Sequence, residues 1–217
     1  MNWLSWDGYR QLWGRMVFRY AGRNISTHNS HTSRKFYNLI GWLYDSVYSD
    51  QIYNYRKAMA HVADHYVHSG DRVFDVGCGT GIFIDQIAPK VGMILGLDLS
   101  RGMLKKARRK HRHHPHVEFV GADCRYLPIR GQFDVVFSAF MLVILPRKER
   151  FAVITSLYPL VRDGGRIVFL TAHDSLSTEW LTRNEWTYYL EQAGFEQVVF
   201  EELFDFYRVV HARKRVM

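Results

Sequence analysis

Val73-Phe-Asp-Val-Gly-Cys-Gly-Thr-Gly-Ile82 is the stretch that decides the fold. A short apolar strand runs straight into Gly77, Gly79 and Gly81, and a helical pattern follows. Glycines at this point let the backbone turn tightly and approach a ligand with no Cβ in the way. The turn falls at the carboxyl end of a first strand, where open α/β sheets hold their ligands. Its spacing is G-x-G-x-G. A dinucleotide fingerprint reads G-x-G-x-x-G and aims a helix N-terminus at a pyrophosphate, and a P-loop ends in Lys-Ser/Thr. Neither fits, so the spacing points to a nucleoside ligand without a polyphosphate.

Outward from the turn, strands and helices alternate. The strand candidates are Arg72–Val76, Met93–Leu97, Val117–Val120, Phe133–Ser138 and Arg166–Thr171, with helices expected over 80–89, 100–112, 147–160 and 183–193. Alternating βαβ units imply a parallel sheet covered on both faces. Two closing runs, Gln197–Glu202 and Phe206–Ala212, leave no room for a helix between them and predict an antiparallel hairpin. The second strand ends in Asp98, about twenty residues past the turn, where a carboxylate accepts from both ribose hydroxyls. The third ends in Gly121-Ala-Asp123-Cys124, placing Asp123 to accept from an exocyclic adenine amine and the Cys124 N–H to face a ring nitrogen. Leu99 and Met103 are candidates to cover the adenine faces.

These residues resemble the class I S-adenosylmethionine-dependent methyltransferases. Asp75-Val-Gly-Cys-Gly-Thr-Gly81 looks like their first motif and Leu97-Asp98-Leu-Ser-x-x-Met103 like their second. Gly121-Ala-Asp123-x-x-x-Leu127-Pro128 with Phe133-Asp134-Val-Val looks like the third and fourth, and Arg162-Asp-Gly164-Gly165-Arg like the turn before the fifth strand. The resemblance covers about 71–212 and implies S-adenosylmethionine as cofactor. It implies that Asp75 orients the glycine turn and the methionyl ammonium. Gly77, Cys78 and Gly79 admit the cofactor, Asp98 holds the ribose and Asp123 the adenine. Phe140 and Met141 border the transferring methyl, and Ser138 is a further cofactor-binding candidate.

The fourth strand runs into Ser138-Ala-Phe-Met-Leu rather than an Asn-Pro-Pro-Tyr type motif, which argues against nucleobase amines as acceptors. Phe36-Tyr37-Asn-Leu-Ile-x-x-x-Tyr44-Asp45 and Arg56 resemble the N-terminal segment of bacterial phospholipid (phosphatidylethanolamine) N-methyltransferases and ubiquinone/menaquinone C-methyltransferases. Both groups handle lipophilic substrates. The likeness implies a segment folded over the cofactor cleft, with Tyr37 and Arg56 toward the cofactor and Tyr44 toward the chemistry. His173 follows the fifth strand and resembles the histidine of the phospholipid enzymes' Asn-His step, with Ala172 in place of Asn. Its ionisation range suits removing a proton from an ammonium, so His173 and Tyr44 are the candidate catalytic residues.

Composition bounds the rest. The 217 residues, 47% hydrophobic and 23% charged, suffice for one buried core. The net charge of +8 is concentrated. Residues 1–35 carry Arg10, Arg15, Arg19, Arg23, Arg34 and Lys35 against Asp7, and Arg101 to Arg112 carries seven cations and no acid. Trp3, Trp6, Trp13, Val17 and Tyr20 recur at helical spacing, and Trp with Arg on one amphipathic helix favours an anionic membrane surface. Nucleic acid is not the expected partner. Cys78 and Cys124 form neither a metal-ligand spacing nor a disulfide framework, and the run His111-Arg-His-His-Pro-His116 defines no metal geometry, so no metal is expected. No apolar run reaches the roughly 20 residues that span a bilayer, and charges interrupt any signal-peptide core. A cytoplasmic protein, peripheral at the inner membrane surface, is the expectation.

The expected fold is α/β, a Rossmann-like doubly wound, mostly parallel seven-stranded sheet with a C-terminal antiparallel hairpin and an N-terminal helical cap. The expected organisation is an amphipathic helix and linker over 1–33, an aromatic helical cap over 34–70 and a cofactor-binding domain over 71–217. The expected function is methyl transfer to a lipophilic acceptor, first a phospholipid amine such as phosphatidylethanolamine. The alternatives are a quinone-precursor carbon and a soluble amine or RNA.

Overall fold

The structure, a computed structural model, describes residues 54–216 except Asp205. The amphipathic helix and linker expected over 1–33, and residues 34–53 of the expected cap with Tyr37 and Tyr44, lie outside the described residues.

The described chain runs α1 (Tyr55–Tyr66), β1 (Arg72–Val76), α2 (Ile82–Ile87), β2 (Met93–Asp98), α3 (Arg101–Lys110), β3 (Val117–Gly121), β4 (Phe133–Ala139), α4 (Arg147–Leu157), β5 (Val161–Ala172), α5 (Arg183–Gln192), β6 (Phe195–Leu203) and β7 (Tyr207–Lys214). The strands form one seven-stranded sheet in the order β3-β2-β1-β4-β5-β7-β6. The first five are parallel, and β7 pairs antiparallel with both β5 and β6. The chain leaves β1 toward β2 and β3, then returns to β4 on the other side. That reversal opens a crevice at the carboxyl ends of β1 and β4.

Strand periodicity explains the two cores. Side chains alternate faces along a strand. Val135 and Phe137 of β4 and Val168 and Leu170 of β5 join α1, α2 and Leu104 of α3 on one face. Val136, Ile167 and Phe169 face α4 and α5 on the other. Asp75 shares the parity of Val73, so it points to the α1–α2 face.

Local chemistry sets the element ends. Gly81 adopts φ +79°, a left-handed conformation that suits glycine, and α2 starts immediately after it. Ser100 caps α3 by accepting the Met103 N–H at 3.2 Å. Thr182 and Glu185 form a capping box on α5. The helix expected over 147–160 stops at Leu157, and a 3-10 turn, Tyr158–Leu160, follows. Pro159 has no N–H to continue the ladder. The turn expected at Arg162–Arg166 lies instead within β5, as a register shift between Phe133↔Val161 and Val135↔Arg166.

Trp186 is 2% exposed and packs on Phe169, ring centroids 4.8 Å apart. Trp186→Ala should destabilise the protein by about 3–5 kcal/mol, the usual range for an aromatic deleted from a core. Denaturant titration checks this, and a loss within experimental error would show that the α5 face contributes little to the core.

Candidate functional site

The crevice, with about 350 Å³ of space that is open to solvent, is lined by Tyr55 and Met59 of α1, Asp75, the turn Gly77–Thr80, Ile82, Phe83, Phe137 and Ala139. Its floor is the glycine turn. Gly77 N–H and Cys78 N–H both donate to the Leu97 carbonyl, at 2.7 and 2.9 Å, which pins the turn to β2. A Cβ on Gly77 (φ +80°) would lie 2.8 Å from Met141 Cβ, so the loop after β4 closes on it. A Cβ on Gly79 (φ +55°) would meet nothing within 4 Å, so the space above it is open to a ligand.

One carboxylate, Asp75, lines this space, and a second, Asp98, sits behind the turn on the Gly79 N–H. Asp75 is 2% exposed, and its Oδ2 has no hydrogen-bond partner. Burial pushes its carboxyl well above the usual carboxylate range, and the nearby Asp98 charge pushes it further. Asp98 Oδ2 accepts the Gly79 N–H at 2.9 Å and Oδ1 the Ser100 N–H at 2.7 Å. Burial raises the Asp98 carboxyl, and these amides partly counter the rise. Among the described residues neither acid has a cationic partner within salt-bridge distance. A cationic ligand group would supply it, and the ammonium and sulfonium of S-adenosylmethionine have that charge. The lone pairs left on Asp98 suit ribose hydroxyls, so the residues present fit the cofactor.

The remaining candidates divide. Leu99 is half-buried beside Asp98, and Met103 is buried on α3. Cys124 is buried with its Sγ 3.4 Å from Met141 Sδ. Asp123 is gripped by Arg125, Nε to Oδ1 at 3.0 Å and Nη2 to Oδ2 at 2.6 Å, and Arg125 Nη1 reaches Glu149 at 3.2 Å. That bridge holds the Asp123 carboxyl below its usual range. Ser138 Oγ donates to the Val76 carbonyl at 2.8 Å, tying β4 to β1. Phe140 has φ +55°, an uncommon conformation for a bulky side chain, and its N–H donates to the Leu170 carbonyl at 3.0 Å. Its ring lies 5.8 Å from Tyr55, 5.9 Å from Trp180 and 6.0 Å from Tyr207.

Of the candidates, Asp75, Gly77, Cys78 and Gly79 line the cavity, and Arg56 and His173 lie away from the glycine turn. Arg56 is exposed on α1, 3.9 Å from Asp85, while its neighbour Tyr55 lines the cavity. His173 lies outside the lining, with Nδ1 2.8 Å from Ser175 Oγ and Nε2 3.0 Å from Arg208 Nη2. Arg208 is 1% exposed, and it also reaches Glu202 at 2.8 Å and Asp174 at 2.7 Å. An arginine donates and does not accept, so this contact requires a bare His173 Nε2. Sequence patterns did not single out Tyr55, Met59, Phe83, Phe137, Trp180 or Tyr207. For Tyr55 and Met59 the i, i+4 spacing on a helix was the available signal.

Residues 73–165 match the family model described as a methyltransferase domain. A demethylmenaquinone methyltransferase of Clavibacter sepedonicus is 35% identical over 128 residues, 57% of this chain and 48% of that protein. A phosphatidylethanolamine N-methyltransferase of Cereibacter sphaeroides is 32% identical over 112 residues, 50% of this chain and 54% of that protein. The chain thus spans about half the length of these relatives. Among solved structures, the [4+2]-cyclase SpnF superposes with a TM-score of 0.76 at 17% identity, covering 88% of this chain and 98% of that one. A DhpI complex with S-adenosylhomocysteine gives 0.72 at 20% identity, covering 86% and 99%. At these identities the superpositions show the fold. Residues 73–165 match a methyltransferase domain, and the residues of the site fit S-adenosylmethionine as its cofactor.

The buried acid gives a signed prediction. The unfolded chain ionises Asp75 from about pH 4 upward, while the native protein keeps it protonated to higher pH. The unfolded state therefore binds fewer protons in this interval, and Asp75 costs stability as pH rises through it. Asp75→Asn should remove that loss, so the ligand-free variant should match or exceed wild type in stability near pH 7.5 while binding S-adenosylmethionine more weakly. Denaturant midpoints across pH 4–8 and a binding titration read both effects. A variant less stable than wild type at neutral pH, with unchanged affinity, would contradict the assignment.

Proposed function

We propose that the protein transfers a methyl group from S-adenosylmethionine to a lipophilic amine, the first candidate being the headgroup of a phospholipid such as phosphatidylethanolamine. The observation that carries the cofactor half is the uncompensated acid pair beside the open space at Gly79. The acceptor half is supported by the likeness to the Cereibacter enzyme and by the aromatic side chains at the carboxyl ends of β4 and β5. When bound, the cofactor supplies a methyl already activated on a sulfonium.

The residues of the chain do the rest by placement. Asp75 supplies negative charge for the cofactor's cationic end, and Asp98 holds both the ribose and the glycine turn. Tyr55 lines the cavity, and Phe140, Trp180 and Tyr207 pack with it in an apolar, electron-rich cluster that excludes water and tolerates an amine gaining positive charge. Holding the nucleophile in line with the methyl is the main source of rate in such a transfer.

His173 fits a positioning role better than that of a base. Its link to Arg208 joins the end of β5 to β7, which carries Tyr207. His173→Gln should therefore lower activity without removing an ionisation from the pH–rate profile. Loss of a limb near the histidine range in the variant would instead make His173 the proton acceptor.

A second acceptor, the carbon of a quinone precursor, is favoured by the Clavibacter relative at 35% identity. One assay separates the two: methyl-labelled S-adenosylmethionine with a total lipid extract, resolved by headgroup. Label in aminophospholipid bands is expected. Label confined to neutral lipids would move the assignment to quinone precursors, and label in soluble amines alone would remove the lipid acceptor.

A further inference from the structure

Helix α3 presents its charge in one direction. Arg101, Lys105, Arg108 and Arg109 are exposed, whereas Met103, Leu104 and Ala107 are buried. At 3.6 residues per turn the four cations fall within an arc of roughly 100°, and the buried side chains lie outside it. Exposed Arg112 extends the stripe past the helix end, to a length of roughly 16 Å at 1.5 Å per residue.

Nearby acid does not neutralise this face. No Asp or Glu occurs between Asp98 and Glu118. Glu118 alternates with Phe119, which packs on the α3 side of the sheet, so Glu118 belongs to the opposite face. Asp85 of α2 is engaged by Lys110 at 2.8 Å and His111 at 3.2 Å, both outside the stripe. Among the described residues, Arg101, Lys105, Arg109 and Arg112 form no ion pair, and Arg108 donates to the Phe119 carbonyl at 2.9 Å.

The helix dipole accounts for part of the pattern only. Cations at a helix C-terminus are stabilising, which covers Arg108 and Arg109. Arg101 occupies the first turn, where the dipole disfavours a cation, so its position needs another reason. It directly follows Ser100, whose N–H is held by Asp98, and so stands at the rim of the cofactor cleft. At the same sheet end, the loop after β3 carries Tyr126 at 77% exposure. A tyrosine at that level suits a bilayer's headgroup region.

We propose that the exposed face of α3 docks the protein on an anionic phospholipid bilayer and brings the rim of the cleft to the membrane surface. The choice of a bilayer over another polyanion rests on the lipophilic acceptor proposed above. Each lysine or arginine near such a surface contributes roughly fivefold in partitioning, and the attraction weakens with salt.

The test uses the full chain and vesicles of phosphatidylcholine with or without phosphatidylglycerol, read by co-sedimentation. Wild type should bind only the anionic vesicles and leave them at high salt. Lys105→Gln/Arg109→Gln/Arg112→Gln should weaken that binding by roughly two orders of magnitude. The charge-reversed Glu triple should weaken it further, with both variants keeping the wild-type melting temperature. Vesicle binding unchanged in both triples, or wild type that shifts RNA and ignores vesicles, would overturn the proposal. Methyl transfer to a detergent-dispersed aminophospholipid separates this surface from the acceptor assignment. Transfer should be the same in wild type and the triples. If no lipid is methylated while the triples still release vesicles, the acceptor assignment fails and the docking surface stands.

Discussion

The structure depends on two acids held at the ends of neighbouring strands without a cation to balance them. Asp75 and Asp98 lie at the carboxyl ends of β1 and β2, the first buried and the second half-buried. Removing carboxylates from water is costly, and a second negative charge close by adds to the cost. Asp98 recovers part of it through the Gly79 and Ser100 amides, and that same pair of bonds shapes the turn and the start of α3. Asp75 recovers none at Oδ2 and stays protonated above its ordinary range. A fold that keeps such an acid stores a preference for a positively charged ligand. The glycines follow from the same constraint, because the turn must pass between Met141 and the ligand space with no side chain of its own.

The parts legible from sequence are those set by local chemistry. The strands announce themselves as runs of Val, Ile, Leu and Phe, and the glycine turn, Asp75, Asp98 and Asp123 each lie within a few residues of the carboxyl end of their own strand. Long-range packing sets what was not legible. Arg56 and Tyr55 differ by one position, yet on a helix that is about 100° of rotation, enough to exchange an exposed residue for one that lines the cleft. His173 could be picked out by its residue type, but its partner Arg208 sits across a strand pairing, Thr171↔Arg208, that no local pattern specifies. α4 ends three residues before the helical pattern does, because a 3-10 turn through Pro159 carries on the helical path. The start of β5 is hidden in the sequence because Arg162-Asp-Gly-Gly has the composition of a turn while the strand ladder resumes around it.

The loops after β4 and β5 are fixed by a different device. Arg150 is 1% exposed and donates to the carbonyls of Leu145 at 3.0 Å, Val143 at 3.3 Å and Glu179 at 2.5 Å. One buried guanidinium thereby ties the loop after β4 to the loop after β5. Those loops carry Met141, which abuts Gly77, and Trp180, which packs on Phe140. The left-handed backbone at Phe140 is held by its bond to Leu170 and by the surrounding rings. Strained residues persist where the surroundings over-determine them, and they gather at binding sites. The methyltransferase class follows from residues 73–165. The acceptor assignment rests on this aromatic wall and on relatives whose named substrates differ from one another.

The central claim is that Asp75 and Asp98 receive the cationic end of the cofactor. Calorimetry of S-adenosylhomocysteine binding at about pH 6, where an α-ammonium stays charged, tests it most directly. Runs in two buffers of different ionisation enthalpy report the protons exchanged. Where the ligand-free protein still holds the Asp75 proton, binding should expel it, giving more proton release in wild type than in Asp75→Asn, whose affinity should also fall. Binding of equal strength in both proteins, with no proton released by either, would contradict the account.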